Sequence, residues 1–148
     1  VPENRKEVTT EGGLNLNKNK KKIKRIISLF KDKKIRTSLF INPKINDIKI
    51  SKKLDVDCVE LHTGKLSNLI KSKKRYSIEL KKIINCCELA NYLGLEVHVG
   101  HGLDYKTAKL LSRVKNIKEF NIGHFIIGES IFYGIKDVVK KFKKIINL

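Results

Sequence analysis

An α/β fold built on parallel strands is what this sequence predicts, and three observations predict it. Short apolar runs and amphipathic helical stretches alternate along the chain as loop-α-β-α-β-α-β-α-β-α, and strands separated by helices pair in parallel. The strand candidates at 58–63, 95–99 and 119–122 each set apolar residues on one face and polar residues on the other. Each of these strands runs into a turn bearing glycine and histidine: His62-Thr63-Gly64, Gly100-His101-Gly102 and Gly123-His124.

The elements follow in order. Residues 1–17 are polar, with Gly12-Gly13 as a breaker, and predict a loop. Residues 18–32 carry Ile23, Ile26, Ile27 and Phe30 at helical spacing. "IRTSLFI" (35–41) predicts a strand stopped by Asn42-Pro43, and 44–54 a short helix with Ile45, Ile48 and Leu54 turned inward. "CVELHT" (58–63) predicts a strand closed by Gly64. A long helix over 76–93 buries Ile83, Ile84, Cys87, Leu89 and Ala90 and ends on Gly94, a left-handed C-terminal cap. "LEVHV" (95–99) is the next strand, Asp104 the N-cap of a helix over 105–114, and "EFNI" (119–122) the last strand. A short helical segment near 125–133, Gly134 and an amphipathic helix ending near Leu148 complete the chain.

Side chains alternate across a strand. Val59 and Leu61 therefore oppose Glu60 and His62; Leu95, Val97 and Val99 oppose Glu96 and His98; Phe120 and Ile122 oppose Glu119 and Asn121. One sheet face is apolar and needs helices over it, while the other is strongly polar. A doubly wound sheet is apolar on both faces, so the pattern favours either a sheet wet on one side or a (β/α)8 barrel with a polar lumen. Four strands cannot close such a barrel, which takes eight. The second half of a (β/α)8 TIM barrel, four β/α units plus an extra helix, fits a chain of 148 residues, and residues 1–148 are expected to be part of one such domain.

The formal net charge is +18, which raises the possibility of a basic nucleic-acid-binding module. Against it, the basic residues are lysines apart from five arginines, Arg5, Arg25, Arg36, Arg75 and Arg113, whereas base and phosphate readers favour the planar arginine fork. The lysines are spread over every helix face and describe a solvated surface. The three cysteines, Cys58, Cys86 and Cys87, form no disulfide framework or zinc motif and are expected as small buried filler. No run reaches the 18–20 apolar residues of a membrane span, and the opening has no charged start before an apolar core. A cytoplasmic location with no membrane or nucleic-acid partner is expected.

In parallel α/β architectures ligands sit at the carboxyl ends of the strands. Glycine there lets backbone approach a phosphate, and the free N–H groups of a following helix attract anions. The 100–102 and 123–124 turns meet both conditions, with "GHFIIGES" as the extra helix. His101, between two glycines at the mouth, is the candidate acid–base residue, and His124 a candidate ligand donor. His62 and His98 are expected as inward structural histidines, and His98-x-x-His101 lacks the carboxylate spacing of a metal pair. Thr9 and Thr10 with Gly12-Gly13 offer hydroxyls and open backbone for a phosphate. These features alone fit equally an isomerase or aldolase acting on a phosphosugar.

"VPENRKEVTTEGGL" (1–14), "VELHTG" (59–64), "GLEVHVGHGL" (94–103) and "EFNIGHFIIGESIFYGIKDVV" (119–139) together resemble the pyridoxine 5'-phosphate synthase family of the deoxyxylulose-dependent vitamin B6 route. The resemblance covers essentially the whole chain. It implies a (β/α)8 barrel assembled as a homo-octamer. The implied reaction condenses 1-deoxy-D-xylulose 5-phosphate with 3-amino-2-oxopropyl phosphate to pyridoxine 5'-phosphate, phosphate and water, with no metal or organic cofactor. By motif, His101 falls on the family's proton donor. Gly102, Gly123 and His124 fall on residues that bind the amino-oxopropyl phosphate, Thr9 on one that binds the deoxyxylulose phosphate, and Glu60 on a lumen carboxylate near the substrates. The family's first four β/α units, with a second catalytic histidine and a catalytic glutamate, have no counterpart here. The chain is therefore expected to be the C-terminal part of a longer enzyme, inactive by itself.

Overall fold

Hydrophobic alternation in four short strands organises the chain, as the computed structural model shows for residues 12–18 and 20–146. The strands β1 (Ser38–Ile41), β2 (Cys58–His62), β3 (Glu96–Gly100) and β4 (Ile117–Asn121) form one open parallel sheet in sequential order. The helices are α1 (Lys20–Asp32), α2 (Ile45–Lys53), α3 (Gly64–Lys71), α4 (Ser77–Tyr92), α5 (Tyr105–Leu111), α6 (His124–Tyr133) and α7 (Ile135–Ile146). A parallel four-stranded sheet in sequential order, with helices in every connection, is the arrangement of half a (β/α)8 barrel.

Register fixes the two faces. Leu39 pairs with Val59, Val59 with Val97 and Ile41 with Leu61, then Leu61 with Val99. These side chains are buried, Ile41, Val59, Leu61 and Val99 at 0 % exposure, and form one core with Ile48 and Leu54, Leu66, Ile83, Cys87 and Ala90. Burying each large aliphatic side chain stabilises the fold by ~1.5–3 kcal/mol. On the opposite face Phe40 pairs with Glu60, Glu60 with His98, and His62 with Gly100. A β-bulge between Val97 and His98 then restores parity, so that His98 meets Glu119 and Gly100 meets Asn121. A second cluster, Ala108 with Val138 and Phe142, seats α7 on α5.

The caps read from sequence form. The Asp104 side chain accepts from Thr107 N at 2.8 Å, and Gly94 follows α4 at φ +72°. All three cysteines are buried and free; burial pushes the thiols of Cys86 and Cys87 up to about 11 and about 12, which leaves them inert filler.

Several expectations are corrected. Only Ile23 and Ile27 of α1 are buried; Ile26 and Phe30 stand 40 % and 43 % exposed, as does Ile45 of α2 at 40 %. In α4, Cys86 rather than Ile84 or Leu89 completes the buried stripe. β1 begins at Ser38 because Thr37, just before it, is held by Asp57, which accepts from both its N–H and its hydroxyl. α3 was not expected at all. Its apolar residues Leu66, Leu69 and Ile70 do recur at helical spacing, but over only eight residues.

Candidate functional site

Three strand ends converge where sequence placed the glycine–histidine turns. At the end of β3, His101 is a non-glycine residue in left-handed backbone at φ +74°, followed by Gly102 at +73°. Such a conformation costs about 1–2 kcal/mol for a residue with a Cβ, so the surroundings must enforce it. Gly102 lies over Gly64, where a Cβ would come within 3.2 Å of the Gly64 Cα. Thr63, fully buried at the end of β2, donates its N–H to Gly100 O at 2.8 Å, and its hydroxyl lies 2.8 Å from both Gly100 O and His101 O.

The imidazole of His101 stacks on that of His62, and Phe40 packs edge-on against His62 at 5.4 Å. Gly64 makes room for the stack: a Cβ there would sit 2.8 Å from His101 Cδ2 and 2.8 Å from His62 Cε1. Burial, and then the neighbouring His124, hold His101 below the ordinary histidine pKa; burial, and then His101, do the same to His62. Both rings are thus neutral near pH 7. The Nε2 of His62 is buried and has no hydrogen-bond partner among the described residues.

His101 forms the wall between two clefts. The first, of ≈ 600 Å³, is lined by His101, Gly102, Asn121, Gly123, His124, Gly128, Glu129 and Phe132, with Lys71 at its rim. Gly123 caps α6, a helix of ten residues with no acidic residue in its first turn, and nothing lies within 4 Å of where a Gly123 Cβ would be. The backbone N–H groups of that first turn are open to an anion. The second cleft, of ≈ 540 Å³, is lined by His62, Lys65, Asn68, Ser72 and Lys74 as well as His101. His101, Gly102, Gly123 and His124 are therefore brought together, as sequence predicted. Thr9 and Thr10 lie outside the described residues.

Below the turn, Glu60 reaches across Gly100 towards Asn121. A Cβ on Gly100 would overlap Glu60 Oε1 and come within 3.1 Å of the Asn121 Cβ, so the carboxyl and Asn121 flank the same glycine. Burial, partly offset by Asn121 and His98, raises the Glu60 pKa, the state suited to a proton-exchanging carboxyl. Further along the lumen face, Glu96 bridges Arg36 at 2.6 Å and His98 at 2.8 Å; these hydrogen bonds, Arg36 first, hold its carboxyl at about 2. His98 belongs to this network, a structural role. Among the described residues no group of three His, Cys, Asp or Glu side chains is placed to hold a metal ion, and no helix there is long and apolar enough to cross a membrane.

Sequence reading missed Thr63, Asn121 and Glu129 as site residues. Parity with Glu119 had already placed Asn121 on the lumen face, and its position two residues before Gly123 was the available signal. Thr63 carried no signal, because its value lies in a contact with residues 100 and 101, far along the chain.

Comparison with known proteins gives one family. The model of "Pyridoxal phosphate biosynthesis protein PdxJ" matches residues 1–148. Curated relatives named pyridoxine 5'-phosphate synthase include that of Pelagibacter ubique, 67% identical over 99% of this chain. Those of Prochlorococcus marinus (strain AS9601) and of Wolbachia from Culex pipiens are 41% and 43% identical over 100% and 99% of it. The chain spans 62%, 61% and 61% of the lengths of these three relatives.

Proposed function

The chain belongs to the family of pyridoxal phosphate biosynthesis protein PdxJ, and from that premise we propose that the intact protein is a pyridoxine 5'-phosphate synthase. It condenses 1-deoxy-D-xylulose 5-phosphate with 3-amino-2-oxopropyl phosphate, releasing inorganic phosphate and water, without a metal or organic cofactor. The observation that carries the reading is the placement of His101 as the common wall of two clefts, one of them floored by the open amides of Gly123 and His124.

In this reading Gly102, Gly123 and His124 hold the phosphate of the amino-oxopropyl substrate, and Thr9 that of the deoxyxylulose substrate. The amine nitrogen attacks the ketone carbon; as the C–N bond forms, the carbonyl oxygen takes a first proton, and it leaves as water with a second, while the nitrogen gives up two protons in exchange. His101 supplies the first proton. Its neutral state in the free protein is no obstacle, because a phosphate dianion seated beside His124 favours the imidazolium. The substrate thereby charges its own acid. Glu60, with its raised pKa, is the second proton-exchanging group in this reading, set beneath Gly100 next to the His101 turn. Holding both phosphates fixes the amine against the ketone, a positioning effect that can supply about 7–11 kcal/mol of the barrier.

We also take residues 1–148 as part of a single (β/α)8 barrel, assembled as a cytoplasmic homo-octamer. Further β/α units would extend the sheet past β1, where Leu14 N–H reaches Phe40 O at 2.8 Å, and past β4.

The test is product analysis of the intact protein given both substrates. Pyridoxine 5'-phosphate, identified by mass and by its aromatic absorbance, should accumulate in step with inorganic phosphate. A rearranged or cleaved sugar phosphate in its place would assign the site to an isomerase or aldolase.

A further inference from the structure

We propose that Thr63 is a positioning residue for His101, whose buried hydroxyl and N–H lock the Gly100–His101 turn into the left-handed geometry that presents the imidazole to both clefts. This rests on the reading of His101 as the acid and extends it to a residue outside the substrate contacts.

Three observations support it. The parallel ladder between β2 and β3 runs to the His62–Gly100 pair, and Thr63 continues it by one donor, N–H to Gly100 O at 2.8 Å. Its hydroxyl then lies 2.8 Å from two successive carbonyl oxygens, Gly100 O and His101 O. A hydroxyl carries a single proton, so the two acceptors share it, and together they fix the planes of the peptides on either side of the His101 Cα. The φ of +74° at His101 lies between those planes; freeing either one lets the residue relax to negative φ. Thr63 itself is at 0 % exposure, so no water replaces its hydroxyl when that is removed. An unmet carbonyl there favours a rearranged turn over the native one.

The site also says what relaxation would do. The His101 ring is held by its stack on His62 across the gap left by Gly64. A turn at negative φ carries the imidazole out of that stack and towards water. Its pKa, now held down first by burial, then rises towards the ordinary value.

The experiment compares Thr63→Val, which keeps the branched shape and removes the O–H, with Thr63→Ser, which keeps the O–H. In the intact protein, NMR titration follows the His101 imidazole, and steady-state assays give kcat and KM. Thr63→Val should raise the His101 pKa towards 6.5 and cut kcat at least tenfold with KM within threefold; Thr63→Ser should stay near native in both. Loss of turnover with an unmoved His101 titration, or native behaviour of Thr63→Val, overturns the proposal. If Thr63→Val does not fold, Thr63→Ala carries the same two readouts. The failures separate: native turnover in His101→Asn sinks the acid reading, whereas the titration still decides for or against Thr63.

Discussion

The ring of His62 lies against that of His101 with centroids 4.6 Å apart and planes inclined by 27°. The contact exists because residue 64 has no side chain, and it keeps two neutral imidazoles in a space where one charge would disfavour the other. Gly64→Ala should therefore act on the site more than on the fold. The new methyl would meet His101 Cδ2 and His62 Cε1 at 2.8 Å, and the rings are side chains that can turn away. We expect a melting temperature lowered by a few degrees, about 1 kcal/mol, with kcat reduced tenfold or more. Thermal denaturation and turnover measured on the same preparation check both halves.

His101→Asn removes the proposed proton donor while keeping a polar side chain that tolerates left-handed backbone. Formation of pyridoxine 5'-phosphate should fall by a factor of ~100 or more, the usual share of general acid–base catalysis. Steady-state kinetics with both substrates decide this, and stability should not fall, since asparagine is at home at positive φ.

The histidine pair predicts a stability profile. Both rings have folded pKa values below the ordinary 6.5, so below that pH the unfolded chain binds more protons than the native one. Stability is then fully present above pH 6.5 and declines as the pH falls beneath it. His62→Phe preserves ring packing against Phe40 and removes one of the two titrating groups. Chemical denaturation at pH 7.5 and 5.5 should show a smaller loss for His62→Phe than for the native protein.

Two glycines predict opposite outcomes. A Cβ at Gly13 would run into the backbone of Ile41 and Asn42, which cannot move without disturbing β1. A Cβ at Gly100 would meet the far end of the Glu60 side chain, which can. Gly13→Ala should lower stability by roughly 2 kcal/mol or more, in the range of overpacking. Gly100→Ala should cost less stability but displace the Glu60 carboxyl from its place beside the His101 turn and depress turnover. Urea midpoints and kcat for the two variants test the contrast.

Much of this was legible in the residues. Period-two alternation in "CVELHT" and "LEVHV" placed Glu60 and His62 on the lumen face and Val59 and Val99 in the core, because parity is a local property. Asp104 and Gly94 announced helix ends for the same reason. Ile26, Phe30 and Ile45 misled, because helical spacing says which residues share a face and not whether anything covers it. α3 escaped because eight residues give too few turns to separate a helix from a loop. Position 101 advertised itself by chemistry, but its left-handed backbone and the hold of Thr63 depend on a neighbour some forty residues away.

That backbone sets durability against chemistry at a single dihedral. At φ +74°, glycine or asparagine is more at ease than histidine. A laboratory selection for heat tolerance alone should therefore drift towards those residues at position 101, and each step gained in endurance would surrender the imidazole proposed as the acid.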